Sequence, residues 1–161
     1  MAGPLVRRLT AHPPREDTMD IRPMTIADYP AVHRLWSGTA GVGMRSLDDS
    51  KAGIARFLAR NPTTSFVAVE NGRVVGAILA GHDGRRGYLY HATVHADRRG
   101  RGIGKALVEA VCRALRDEGI HKARLVVFRA NADGQAFWRA LGWEERRDLA
   151  YYNLSLNDEN V

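Results

Sequence analysis

Two rhythms of apolar residues run along this chain. Residues 65–70 (S-F-V-A-V-E) and 73–81 (R-V-V-G-A-I-L-A-G) are short, β-rich apolar runs. Asn71-Gly72 between them is the dipeptide that a two-residue hairpin favours. Asp83-Gly84 opens a further turn into a third run, 88–94, so these segments predict an antiparallel meander. Residues 103–118 follow the other rhythm: Ile103, Leu107, Ala110, Val111, Ala114 and Leu115 share one helical face. Glu109–Arg113 and Arg113–Asp117 pair on the opposite face, and Gly119 stops the helix.

The flanks are read in the same way. Residues 21–24 predict a short strand, followed by a helix capped by Thr25 with Val32, Leu35 and Trp36 inward. Pro30 falls near that helix start, where it is tolerated. Glycines between 38 and 43 break the helix; residues 46–49 offer a second cap, and Ile54, Phe57 and Leu58 form a second stripe. Residues 123–128 predict a strand, 133–141 a helix stopped by Gly142, and 143–147 with 150–156 a closing pair of strands. The order β-α-α-β-β-β-α-β-α-β-β, with no internal repeat, predicts a mixed α/β domain over residues 19–157. Residues 1–18, with Pro4, Pro13 and Pro14, read as a flexible extension, Met19 as an alternative start, and 158–161 as a tail.

Composition narrows the class of protein. With 45% hydrophobic and 26% charged residues, the chain has the make-up of a soluble globular domain. It has no apolar run long enough for a membrane span and no secretory signal, so a cytoplasmic location is expected. The single cysteine, Cys112, excludes an intrachain disulfide and reads as a helix-core residue. The net charge of +6 favours an anionic partner. Residues 1–18 contribute three arginines against Glu16 and Asp17, +3 − 2 = +1, so the basic character belongs to the domain. His91 and His95 have no cysteine or carboxylate cluster beside them, and no metal is expected. A nucleic-acid partner is disfavoured, because aromatic interleaving and DNA-reading motifs are both missing.

The chemistry concentrates in V-H-A-D-R-R-G-R-G-I-G-K-A-L, residues 94–107. Three glycines and four basic residues fall within Arg98–Lys105, between a strand and a helix start. Glycine lets backbone N–H groups approach a ligand, and a helix start adds unpaired N–H groups and a positive dipole end. Together they predict a phosphate cradle. A dinucleotide fingerprint fails because Lys105 stands where a third glycine is needed. A P-loop fails because Ala106 stands where Ser or Thr is needed.

The spacing that does fit, Arg99-x-x-Gly102-x-Gly104 after a strand, resembles the defining motif of the GNAT superfamily of N-acetyltransferases. The family's second motif is matched at the same spacing by Asn131, Phe137, Trp138, Gly142 and Trp143, with tryptophan at two aromatic places. The opening I-R-P-M-T-I-A-D-Y is also similar, so the resemblance runs over residues 20–156. It is nearest to small bacterial single-domain members. The fold it implies is a central, mostly antiparallel, splayed sheet flanked by helices.

The resemblance implies acetyl-CoA as cosubstrate and a primary amine as acceptor, of unknown class. Gly100, Arg101, Gly102, Ile103, Gly104 and Lys105, with Arg99, would hold the pyrophosphate. Val94 would pair with the pantetheine, beside Asn131 and Trp138. Asn131 reads equally well as a helix N-cap. Candidates for proton transfer are Tyr88 and Tyr90, on one strand face, and His91, which alternation aims at the other face unless a bulge re-aims it. Trp138 stands at the family's usual acid, a tyrosine, so Tyr151 or Tyr152 would substitute, or the thiolate would leave unassisted. The other readings left open are a non-catalytic acyl-CoA-binding protein of the same fold and, remotely, a basic nucleic-acid binder. Many relatives form homodimers; nothing in the sequence requires it.

Overall fold

The computed structural model describes residues 18–161. Apart from Thr18, the expected extension lies outside them. The strands are β1 (Met19–Pro23), β2 (Phe66–Glu70), β3 (Arg73–His82), β4 (Gly87–Val94) and β5 (Ala123–Arg124). The helices are α1 (Tyr29–Ser37), α2 (Lys51–Arg60), α3 (Ile103–Asp117) and α4 (Ala132–Ala140). The sheet runs β1-β2-β3-β4-β5, antiparallel except for the parallel pair β4–β5.

Local chemistry explains the connections. Asn71 and Gly72 both take left-handed backbone, φ 50° and 76°, and turn β2 into β3 as the dipeptide predicts. Arg22 on β1 grips Asp28 with both nitrogens, at 2.9 and 2.8 Å, and Asp28 Oδ2 also accepts from Thr25 N at 2.9 Å. That pins the entry to α1. Ser50 Oγ caps α2 by accepting from Gly53 N at 3.0 Å. The cap is therefore one residue beyond the expected 46–49 stretch, and Asp49 is left for another task.

The sheet separates two apolar layers. Ala68, Ile78, Ala80 and Leu89 face Ile103, Leu107, Val111 and Leu115 of α3. Val67, Ala77 and Leu79 face Val32 and Trp36 of α1 and Ile54 and Leu58 of α2. Gly76 lets α3 lie close: a Cβ there would stand 3.0 Å from Leu107 Cδ1 and 3.2 Å from Ile103 Cγ2. Cys112 sits on α3 against the first layer, where burial pushes its thiol pKa up.

The far edge departs from expectation. β4 and β5 pair only at Gly87–Ala123 and Tyr88–Arg124, then diverge. The expected strand 123–128 is thus two residues long. The expected closing strands, 143–147 and 150–156, are not strands; no residue beyond Arg124 pairs in the sheet. Alternation marks a segment able to pair, but pairing needs a neighbour within reach, and here β5 has already turned away. Val126, Phe128, Leu149, Leu154 and Leu156 consequently stand in solvent. The chain end is held elsewhere. Ser46 N donates to Val161 O at 2.7 Å, and Leu47 N and Asp48 N both donate to Asn160 Oδ1 at 3.1 Å. Among the described residues no helix is long and apolar enough to cross a membrane.

Candidate active site

The loop after β4 forms the first half of the site. A 3-10 turn at Ala96–Arg98 leads into Gly100 and Gly102, whose φ of +77° and +79° are left-handed values that suit glycine. Gly102 precedes α3 directly, and no side chain caps the helix, so the first-turn N–H groups of Ile103, Gly104 and Lys105 are not met by a capping side chain. Gly104 is glycine for space: a Cβ would meet Phe137 of α4 at 3.0 Å and Val94 at 3.6 Å. The Ile103 side chain is buried in the α3 layer, so this residue offers its backbone alone. Val94 pairs with Gly76 and packs against the same layer.

The four cations divide. Arg98 Nε bonds Glu70, a buried carboxylate on β2, and Arg101 Nη1 lies 3.8 Å from the same carboxylate. These two charges thus share one buried carboxylate. Arg99 Nε donates to Val94 O at 3.3 Å, tying the loop to the end of β4. Lys105 is largely exposed, 3.9 Å from Glu109. Cradling glycines, uncapped N–H groups and basic side chains fit a pyrophosphate. The β5-facing edge of β4 from Leu89 to Val94, unpaired among the described residues because β5 diverges, fits an extended arm that pairs main chain to main chain. Asn131 Oδ1 accepts from Gly134 N at 2.9 Å and so caps α4. Trp138 packs edge-on between Phe137 and Trp143, with ring centroids 5.0 and 5.1 Å away.

The second half lies on the α1–α2 face. The β3–β4 register shifts between Ala77–Thr93 and Leu79–Tyr90, so His91 and Ala92 both oppose Ile78. This is a β-bulge, with His91 at φ 51°. Left-handed backbone costs a non-glycine residue roughly 1–2 kcal/mol. The bulge turns His91 onto the same face as Tyr88 and Tyr90, against simple alternation. The two tyrosines stack with centroids 4.4 Å apart, and His91 packs edge-on against Trp36 of α1 at 5.0 Å. Trp36 Nε1 and Thr93 Oγ1 both donate to His91 O, at 3.1 and 3.0 Å. His91 Nε2 lies 2.7 Å from Asp49 Oδ1. Arg45 N donates to Asp49 Oδ2 at 2.6 Å.

The electrostatics follow from these contacts. Burial alone would raise Asp49, but the His91 contact and the Arg45 N–H hold its pKa below the usual aspartate value. Burial raises the hydroxyl pKa of Tyr88 and Tyr90, which makes both poorer bases. A cavity of about 510 Å³ opens at Asp49, lined also by Tyr29, His33, Met44, Ser46 and Val161 among others; His91, Tyr88 and Tyr90 lie behind Asp49 and do not line it.

Of the residues expected to move protons, the structure gathers Tyr88, Tyr90 and His91. It does not bring Tyr152 to them: that residue is 89% exposed, with no ring or hydrogen-bond partner among the described residues, because the strand meant to carry it is not formed. Tyr151 lies near enough to influence both Tyr88 and Tyr90 but is itself exposed. Asp49, Trp36 and Glu70 were not foreseen as site residues. Each meets its partner across 42, 55 and 28 residues respectively, and no local pattern marks them.

A strand that splays from its neighbour, then a glycine loop opening a helix, is the arrangement that the sequence motif implies. The chain belongs to the GNAT family of acetyltransferases: the model of the Acetyltransferase (GNAT) family matches residues 29–143. An acetyltransferase of Pectobacterium atrosepticum is 38% identical over 109 residues, 68% of this chain and 76% of that protein. Among solved structures, an aminoglycoside N-acetyltransferase in complex with CoA matches with TM-score 0.68 and 24% identity, covering 89% of this chain and 99% of its own. A predicted acetyltransferase from Clostridium acetobutylicum with acetyl-CoA matches with TM-score 0.69 and 17% identity, covering 84% of this chain and 96% of its own.

Proposed function

We propose that this acetyltransferase moves the acetyl group of acetyl-CoA to a primary amine. The observation that carries the reading is the pairing of an uncapped, glycine-led helix start with the free edge of β4. Both halves of one elongated, phosphate-ended thioester have a place there. The backbone from Gly100 to Lys105, with Arg99 and Arg101, holds the pyrophosphate, and the Leu89–Val94 edge orients the arm. When bound, acetyl-CoA supplies an activated carbonyl carbon and a thiol leaving group. Main-chain N–H groups along β4 would serve as donors to negative charge developing on the carbonyl oxygen. The amine approaches from the α1–α2 face, where the cavity lies. CoA and acetyl-CoA in the two matched structures support the donor; the amine rests on the family resemblance and on the groups facing the cavity.

Isothermal calorimetry tests the donor. Acetyl-CoA is expected to bind the purified protein, and Gly102→Asp to weaken binding at least tenfold. An anion there meets the donors meant for phosphate, and left-handed backbone disfavours a side chain. Absence of binding by the wild type, or unchanged affinity in the variant, refutes the assignment. Trp138 favours one second reading, a protein that holds acetyl-CoA without turnover, because its indole stands where the family's acid usually stands. Thiol release above background with any member of an amine panel rules that reading out.

A further inference from the structure

We propose that His91 accepts the proton of the incoming ammonium through Nδ1, and that Asp49 is the residue that positions it. This rests on the acetyl-transfer reading. The bulge supplies the first reason. A left-handed histidine interrupts β4 within its unpaired edge, and three contacts hold it: Trp36 Nε1 and Thr93 Oγ1 on its carbonyl, and Asp49 on its ring. The second is the carboxylate itself. Both Asp49 oxygens are taken, Oδ2 by Arg45 N at 2.6 Å and Oδ1 by His91 Nε2 at 2.7 Å. An ionised carboxylate only accepts, so Nε2 carries the hydrogen and the lone pair of the neutral ring is on Nδ1. The third concerns the tyrosines beside His91. Tyr88 and Tyr90 share the face, and burial makes each harder to ionise. Tyr29 and His33 of α1 are the other titratable groups facing Asp49, and Tyr29 also has a raised pKa.

The step balances as follows. The ammonium gives one proton to His91 Nδ1, and Asp49 stabilises the resulting imidazolium across 2.7 Å. The freed nitrogen lone pair forms the C–N bond to the thioester carbonyl carbon. The C–S bond breaks with its electron pair on sulfur. The second proton leaving nitrogen goes to that sulfur, and His91 returns its own proton to water.

The test uses the full chain with acetyl-CoA and three probe acceptors: spermidine, kanamycin and a short peptide with a free N-terminus. The variants are Asp49→Asn, which keeps shape, and His91→Asn, since asparagine tolerates left-handed backbone. Circular dichroism confirms folding, and calorimetry measures acetyl-CoA binding. The proposal expects kcat to fall at least 100-fold in His91→Asn and at least 10-fold in Asp49→Asn, with acetyl-CoA affinity changing far less than kcat in either variant. It also expects the acidic limb of the Asp49→Asn rate profile to move to lower pH. Imidazole ¹⁵N NMR of the wild type should show the Nε2–H tautomer, a readout that needs no acceptor. Undiminished kcat in His91→Asn, an unmoved limb in Asp49→Asn, an Nδ1–H tautomer, or no transfer to any probe overturns it. If acetyl-CoA does not bind the wild type, the underlying reading fails instead.

Discussion

Asp28 and Asp49 are neighbouring solutions to one problem, a carboxylate kept charged while nearly buried. Asp28 is held by the Arg22 guanidinium and the Thr25 N–H, and its pKa falls below the ordinary 3.8. Asp49 also lies below 3.8, despite its burial. A depressed folded value means that the native state binds protons less tightly than the unfolded chain. The stability contributed is complete above pH 3.8 and is lost as pH falls through the lower folded values. Arg22→Gln is expected to cost about 1 kcal/mol near pH 7, a discounted figure because Arg22 is 40% exposed and screened by solvent. Thermal melts between pH 2 and 7 should show the gap between wild type and variant closing at the acidic end. A constant gap excludes the ion pair as its source.

Among the elements, the loop between β4 and α3 depends on β2. Glu70 ends β2 and receives Arg98 and Arg101, so the cradle is braced by a strand two places along the sheet. Glu70→Gln removes the charge but keeps the shape. It is expected to lower stability by about 1–3 kcal/mol, the usual cost of disrupting a charged buried hydrogen bond. It should also change acetyl-CoA affinity at constant pH, because Arg98 and Arg101 are released toward the ligand. Calorimetry and denaturant melts on one preparation separate the effects; unchanged affinity would show that the brace does not act on the loop.

The same scale shows what the sequence could reveal. The hairpin at Asn71-Gly72, the α3 stripe and the Arg99-Gly102-Gly104 spacing depend on neighbours within a few residues, and all three were legible. His91 was not settled, because its direction depends on where β4 slips against β3. Its partnership with Asp49 spans 42 residues. Ser and Asp within residues 46–49 suit a cap, yet Ser50 takes the role. The last strands failed for the opposite reason: their alternation is genuine, but the sheet has opened before they arrive.

At the scale of the whole molecule, order is uneven. The two apolar layers enclose residues from β1 to α3, while 144–159 remain exposed and outside the sheet. Limited proteolysis should cut within 144–156 well before any site in α3 or β3. Equal cleavage rates would mean that the segment is covered in solution. Residues 159–161 lie on Ser46–Asp48 at the mouth of the cavity. Deleting 157–161 is expected to change KM for the acceptor while leaving acetyl-CoA affinity within twofold. Equal shifts in both would place the tail's influence elsewhere.

The sheet keeps its two faces apart, and that arrangement has a consequence for descent. The glycine cradle belongs to the α3 layer, while His91, Asp49 and the cavity belong to the α1–α2 layer. Mutations on opposite sides of a packed sheet, far apart and without shared partners, combine nearly additively. On the proposed reading of the cavity as the acceptor's site, a lineage with this architecture is expected to replace the residues around Tyr29, His33 and Met44, and so exchange one recipient for another, without disturbing the donor. Laboratory selection can follow the same route. A library confined to the cavity wall should yield variants with new recipients, each inheriting the parent's affinity for acetyl-CoA.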